Sequence, residues 1–209
     1  MMNKTKILMI IASLSLLALF IFPLWKITLV APQYPEPLGL NIHINKLSDG
    51  REFNDVNNID LLNHYIGMHH LPSKINIDKG VIEPFKEFTF MPIIVILMSI
   101  MGVLFAYLGR NKLYGIWFVS LCILGLLGVY DFYSWLQKYG SDLDPNAILK
   151  MTDPQTGDLM AYNPPIFGFK QMLNFEVYSY PAPGAYFIFA SLIIAGIAFY
   201  LSKKKVILK

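Results

Sequence analysis

A short segment of the chain places three of its four histidines beside a methionine. It reads His64-Tyr65-Ile66-Gly67-Met68-His69-His70. Imidazole and thioether side chains together suit copper, because soft sulfur favours Cu(I) and histidine binds copper in either oxidation state. If a helix continues through Gly67, His64 and Met68 share one face; if it ends there, the chain can fold His69 or His70 back towards His64. We predict copper ligands at His64 and Met68, completed by His69 or His70.

Simpler interpretations compete with this copper site. Histidine pairs are common on protein surfaces, Met68 could cover the apolar face of a helix, and no carboxylate or thiolate lies in the segment to fix a strong site. Zinc hydrolysis fits less well, since the chain has no His-Glu-x-x-His pattern and the nearest acid is Asp60. The fourth histidine, His43, lies on the polar side of an alternating segment and is expected to be solvated. We predict that the chain is not an enzyme.

The composition of the chain predicts a membrane protein. Hydrophobic residues make up 55% of the sequence and charged residues only 15%, well below the roughly 25% of a typical soluble domain. Four apolar runs without Lys, Arg, Asp or Glu are long enough to cross about 30 Å of hydrocarbon. The predicted fold is an all-α membrane protein with four transmembrane helices, at residues 7–25, 91–109, 113–130 and 185–201.

The distribution of basic residues predicts the orientation, because Lys and Arg near helix ends are retained in the cytoplasm. Three short segments next to the apolar runs contain basic residues and no acidic ones: the segment before the first run, the turn between the second and third runs, and the segment after the fourth run. Their basic residues are Lys4, Lys6, Arg110, Lys112, Lys203, Lys204, Lys205 and Lys209. The net charge of +3 therefore reflects topology and gives no reason to expect a nucleic-acid partner. The predicted order is helix 1 with a cytoplasmic N-terminus (1–25), external loop 1 (26–90), helix 2 (91–109), a cytoplasmic turn (110–112), helix 3 (113–130), external loop 2 (131–184), helix 4 (185–201) and a cytoplasmic tail (202–209).

The two long loops are expected to pack together as a small external module. Alternating apolar residues at 38–47 predict a strand, with a hairpin turn at Asp49-Gly50. A short helix is predicted from Asn58 to the breaker Gly67. The second loop, rich in turn-forming Asp-Pro and Pro-Pro pairs, is expected to be irregular.

Several loop segments resemble one family of membrane proteins. They are Ala31-Pro32-Gln33-Tyr34-Pro35 with Leu38-Gly39, Leu62-Asn63-His64-Tyr65-Ile66-Gly67-Met68, Leu143-Asp144-Pro145, Tyr162 with Pro164-Pro165, and Gly168 with Lys170-Gln171-Met172-Leu173-Asn174-Phe175. In this order, and with this topology, the chain resembles the polytopic inner-membrane accessory proteins encoded with nitrous oxide reductase in some bacterial gene clusters.

The resemblance implies a bacterial inner-membrane protein with its long loops in the periplasm. It also implies a periplasmic copper enzyme, or other membrane subunits, as partners, and copper supply or maturation as the role. Two alternatives stay open. One is a metal-free scaffold that docks a redox partner through Tyr34, Tyr65 and Tyr162. The other is a quinol-linked electron-transfer subunit with His64 as proton acceptor, although no predicted span contains a histidine that could bind haem.

Overall fold

The structure has two hydrophobic cores, one among long helices and one beneath a β-sheet. It is a computed structural model that describes residues 4–51, 54–148, 152, 161–172 and 174–207. Residues 149–151 and 153–160 of the second predicted loop lie outside the described residues. The helical core is centred on Met9, Tyr114 and Trp117, which are fully buried.

Among the described residues, three helices are long and apolar enough to cross a membrane. Helix α4 spans Glu87–Leu108, α5 spans Asn111–Ser141 and α6 spans Pro183–Ile207. They contain the apolar runs predicted at 113–130 and 185–201, and all but the last residue of the run at 91–109. Helix α5 continues to Ser141, into what was predicted as external loop 2. Helices α4 and α5 are joined at Gly109, whose left-handed backbone (φ +68°) ends α4, a conformation that glycine adopts without a steric penalty.

The prediction of four membrane-spanning helices is wrong for the run at 7–25. Helix α1 spans only Lys4–Ser15, followed by a 3₁₀ helix at Leu16–Phe20. Pro23 then disfavours helical backbone at the residue before it, and Trp25 already belongs to a strand. The two helical pieces pack against α4 and α6, and the Ser191 hydroxyl donates to the Ala12 carbonyl at 2.7 Å.

The prediction of an all-α fold is also wrong, because the segments between the helices form a five-stranded antiparallel sheet. The spatial order is β3-β2-β1-β5-β4. The strands are β1 (Trp25–Val30), β2 (Leu38–Ile42), β3 (Leu47–Asp49), β4 (Gly168–Met172) and β5 (Phe175–Pro181). The whole of β1 pairs with β5, from Trp25 opposite Pro181 to Val30 opposite Glu176. The sheet thus unites the two predicted external loops.

Details of both loops differ from the predictions. The hairpin turn between β2 and β3 lies at residues 43–46, where the His43 amide donates to the Lys46 carbonyl at 2.9 Å; Asp49 belongs to β3 instead. The second loop contains β4 and β5 and is not irregular in its described part. The predicted short helix is confirmed: α2 spans Asp55–Tyr65, starting before Asn58 and ending before Gly67. A further short helix, α3, spans Lys74–Asp78.

Helix α5 belongs to both hydrophobic cores. Trp117 and Leu121 lie in the helical core, whereas Leu136 and Tyr139 are buried beneath the sheet with Ile27. At roughly 1.5 Å per residue, the helix is about 46 Å long, which exceeds the hydrocarbon thickness. Its final turns therefore support the sheet and α2 directly, which fixes the position of the histidine segment relative to the helical bundle.

Gly102 on α4 packs closely against Ser13 on α1 and Trp117 on α5. A Cβ atom at this position would lie 2.0 Å from the Ser13 hydroxyl oxygen and 2.8 Å from Trp117 Nε1. The Trp117 indole cannot move freely, because it donates to the Met98 carbonyl at 2.8 Å. At Gly125 the same added atom would meet nothing within 4 Å.

We expect Gly102→Ala to lower the free energy of unfolding by about 1–3 kcal/mol, the usual cost of overfilling a packed core. Thermal unfolding of the detergent-purified protein measures this change. The matched control Gly125→Ala adds the same methyl group to open space and is expected to unfold at or above the wild-type temperature. Equal unfolding temperatures for the two variants would contradict the close packing at Gly102.

Candidate functional site

The histidine segment begins where α2 ends in a glycine-dependent cap. Gly67 has a φ of +86°, its amide donates to the His64 carbonyl at 3.1 Å, and the Met68 amide donates to the Asn63 carbonyl at 2.9 Å. This pair of bonds is the Schellman motif, which reverses the chain direction after a helix. As a result, Met68 does not continue the face of α2 that carries His64.

Asp60 fixes the returning chain from within α2. Its side chain is almost fully buried and accepts three hydrogen bonds: from the Leu71 amide at 2.5 Å, from His70 Nδ1 at 2.9 Å and from Asn76 Nδ2 at 2.9 Å. Since a carboxylate only accepts, the proton between Asp60 and His70 lies on Nδ1. A neutral His70 therefore carries its free lone pair on Nε2.

His64 and His70 lie side by side. Their ring centroids are 4.9 Å apart and the rings are inclined by only 16°. Because the lone pair of an imidazole lies in the plane of the ring, two nearly parallel rings do not point at one common atom. His64 is exposed and can rotate about its side-chain bonds, whereas His70 is held by Asp60. Binding of one shared ligand by both rings would therefore require His64 to rotate.

His69 is directed to a different partner. Its Nε2 lies 3.1 Å from the Asp142 carboxylate, just after α5, and both side chains are exposed. Such an exposed pair contributes little to stability. The carbonyl of His69 accepts a hydrogen bond from the Tyr139 hydroxyl. This contact ties the histidine segment to the final turn of α5.

Met68 is the predicted ligand that the fold separates from the imidazoles. It is 5% exposed and belongs to the core beneath the sheet. There it lines an apolar cavity of about 80 Å³, together with Leu40, Leu136, Tyr162 and Val177. Within the described part of the chain, no group of three or more His, Cys, Asp or Glu side chains could hold a metal ion. The structure thus brings together two of the four predicted ligands, His64 and His70.

The other residues considered for function lie elsewhere. His43 Nε2 lies 3.0 Å from the Ser48 hydroxyl in the β2–β3 hairpin, and its pKa is lowered by burial and by the nearby Lys46, so it is less solvated than predicted. Tyr162 is 4% exposed, and its hydroxyl has no hydrogen-bond partner among the described residues. Burial raises the pKa of Tyr162. It is therefore unavailable for the surface contact predicted with Tyr65.

Sequence reasoning missed the structural role of Asp60. It precedes His64 by one helical turn, and that spacing indicated only that the two residues share a face of α2. Its bonds to Leu71, His70 and Asn76 depend on a reversal of the chain. Gly67 was the available signal for that reversal, but the register of the returning segment was not predictable from it.

In its described part, the chain combines three candidate membrane-spanning helices with an α+β domain that presents a histidine pair. Comparison of the chain with protein-family models, curated proteins and solved structures finds no match.

We expect Asp60→Asn to lower the free energy of unfolding by about 1.5–3 kcal/mol, because an amide replaces one accepting oxygen and places a donor against the existing donors. Chemical unfolding of the detergent-purified protein, followed by circular dichroism, measures this loss. The control is Asp78→Asn at an exposed acid on α3, for which the change should stay within about 0.5 kcal/mol. If Asp60→Asn leaves the free energy of unfolding unchanged, the carboxylate does not fix the histidine segment.

Proposed function

We propose that this chain is a membrane-anchored accessory protein that binds copper through His64 and His70 and hands it to a periplasmic copper enzyme. The observation that carries the proposal is the adjacent imidazole pair with one member oriented by a buried carboxylate. By resemblance, the recipient is nitrous oxide reductase. Met68 and His69 are not ligands in this proposal.

The donor set fits a cuprous ion held by two imidazoles. Metal-binding histidines commonly donate their second ring nitrogen to a carboxylate, which sets the tautomer and raises the basicity of the ligating nitrogen. Asp60 makes this contact with His70. His64 lies in the last turn of α2, where the partial negative charge of the helix terminus favours a bound cation. A site with few ligands, near the surface, also suits a metal that must leave again.

The positions of the cations support a periplasmic location for the sheet domain. Lys6 Nζ donates to the Tyr107 carbonyl at 2.7 Å, which places the start of α1 beside the end of α4. Arg110 and Lys112 occupy the following turn and the start of α5. These cations lie at the end of the bundle opposite to the sheet, and the preference of basic residues for the cytoplasm then places the sheet on the other side.

An exposed apolar ridge beside His64 supports transfer to a protein. Leu61 and Tyr65 are 54% and 48% exposed and lie one turn apart on the outer face of α2. Exposed aromatic and aliphatic side chains of this kind favour protein contacts. We infer that this ridge docks the recipient, which would bring its metal site close to His64.

Copper binding is tested by anaerobic loading with Cu(I), desalting and metal analysis, followed by competition with a chromophoric Cu(I) chelator. Wild-type protein should retain about one copper ion. His64→Ala and His70→Ala should each weaken binding at least tenfold, and Asp60→Asn should weaken it by about 10–100-fold through loss of the supporting carboxylate.

Met68→Leu is the matched control, because it preserves the volume of a buried side chain while removing the sulfur. It should retain wild-type copper content. Background copper in the wild type would refute the copper proposal, and copper lost in Met68→Leu but kept in His70→Ala would refute the ligand assignment.

Docking is tested separately with Leu61→Ser/Tyr65→Ser. Since neither side chain is a proposed ligand, the copper content should not change, whereas co-purification with the apo-reductase and copper transfer to it should fall at least fivefold. Val81→Ser, at another exposed apolar residue, is the control and should leave both properties unchanged. Transfer that is insensitive to the double variant would exclude this ridge as the docking surface.

A further inference from the structure

One half of the outer sheet face is covered by exposed aromatic side chains. This aromatic face consists of Phe167, Phe169, Tyr178 and Tyr180. Phe167, Phe169 and Tyr180 are 64%, 52% and 45% exposed. Phe169 on β4 lies beside Tyr178 on β5 with ring centroids 5.1 Å apart, and Phe167, just before β4, lies beside Tyr180 with centroids 5.3 Å apart. They lie opposite to the core face, where Val177 is buried.

The other half of the same face is polar. Tyr180 lies opposite Lys26 on β1, Lys26 lies opposite Asn41 on β2, and Asn41 lies opposite Ser48 on β3. Directly paired residues point to the same side of a sheet. One row across the sheet therefore changes from aromatic at β5 to polar at β2 and β3. This difference in polarity indicates that the β4–β5 edge and the β2–β3 edge of the sheet lie in different environments.

The aromatic face lies close to the entry of α6 into the membrane. Only Ala182 separates β5 from α6. The Ala182 amide donates to the Leu24 carbonyl at 3.0 Å, and the Gly184 amide donates to the Pro23 carbonyl at 2.8 Å. These bonds join the end of the sheet that lies nearest the helical bundle to the first turn of α6. The sheet therefore cannot move away from the bilayer surface independently of α6.

The height of each aromatic row above the hydrocarbon follows from the length of α6. Its apolar part ends at Leu201, before the Lys203–Lys204 pair, and about 20 helical residues cross the hydrocarbon. The opposite boundary thus falls near Ala182. At about 3.4 Å per strand residue, Tyr180 lies at most about 7 Å above this boundary and Tyr178 at most about 14 Å, since any tilt of the strand reduces both heights.

We propose that the aromatic face lies against the phospholipid headgroup layer and tilts the sheet domain so that the β4–β5 edge lies lower than the β2–β3 edge. The headgroup layer extends about 5–8 Å beyond the hydrocarbon on each side, which matches the height of the Phe167–Tyr180 pair. Tyrosine is enriched at this depth because its ring is apolar and its hydroxyl is polar. Lys26, next to Tyr180, lies at the level of the lipid phosphates.

The test uses single cysteines labelled with a small fluorophore in a Cys122→Ala background, since Cys122 is the sole cysteine of the chain. The labelled variants are Tyr180→Cys, Tyr178→Cys and Glu176→Cys along β5, with Asn41→Cys as the control in the same sheet row as Tyr180. The proteins are reconstituted into phosphatidylcholine–phosphatidylglycerol bilayers that contain headgroup spin-labelled lipid. Quenching by this lipid is compared with quenching by aqueous iodide.

Lipid quenching should decrease from position 180 to 178 to 176, and at 180 it should exceed that at 41 at least threefold. Iodide should show the opposite order. Equal lipid quenching at 180 and 41 would overturn the tilt. Strong iodide quenching with no lipid quenching at 180 would overturn the lipid contact and indicate an aqueous protein partner for this face.

A label-free measurement guards against perturbation by the fluorophore. Tyr180→Ser should lower the unfolding temperature in lipid nanodiscs by several degrees more than in lipid-free amphipol, because the lost contact exists only with lipid. Asn41→Ser is the control and should show no such difference. An equal loss in both media would assign Tyr180 a role in folding alone and would refute the lipid contact. None of these outcomes depends on copper binding.

Discussion

The antiparallel pairing of β1 with β5 is the interaction on which the rest of the structure depends. It joins segments about 150 residues apart, one following the first helical pieces and the other preceding α6. Through it, both regions outside the helical bundle share one sheet and one core. The end of α5 then fills the space beneath that sheet with Leu136 and Tyr139. The position of the histidine segment follows from this arrangement, because Tyr139 contacts His69.

Local signals in the sequence identify the three long helices and the end of α2, although α5 continues to Ser141, beyond its predicted end at residue 130. Apolar length identifies α4, α5 and α6, and Gly67 is a strong stop signal with a left-handed backbone. The five-stranded sheet is missing from the prediction, because the pairing of β1 with β5 is non-local: only a strand at 38–47 is predicted, and residues 26–30 fall in the predicted external loop 1. The first apolar run is predicted wrongly for a different reason. Hydropathy does not distinguish a short helix followed by a strand from a continuous membrane-spanning helix.

In the candidate site, too, local sequence signals predict some features correctly and miss those that depend on tertiary contacts. The composition of the segment indicated imidazole chemistry, and the fold places His64 beside His70. Met68 was grouped with them by spacing, but the Schellman cap turns its side chain towards the core. The role of Asp60 is not predictable without knowing that the chain after Gly67 returns along α2 and brings His70 and Leu71 to it. Residue types therefore indicated the class of ligand, whereas tertiary contacts decide which side chains share a site.

The order of the strands along the chain has a consequence for biosynthesis. β1 leaves the ribosome long before β5, and at roughly 5–20 residues per second the delay is roughly 7–30 s. During this time the edge of β1 that later pairs with β5 has unsatisfied backbone donors and acceptors, which can pair with other chains. Two long helices, α4 and α5, are also synthesised before β5. Until β5 has been synthesised, the unpaired edge of β1 is therefore a site where wrong strand pairing can occur.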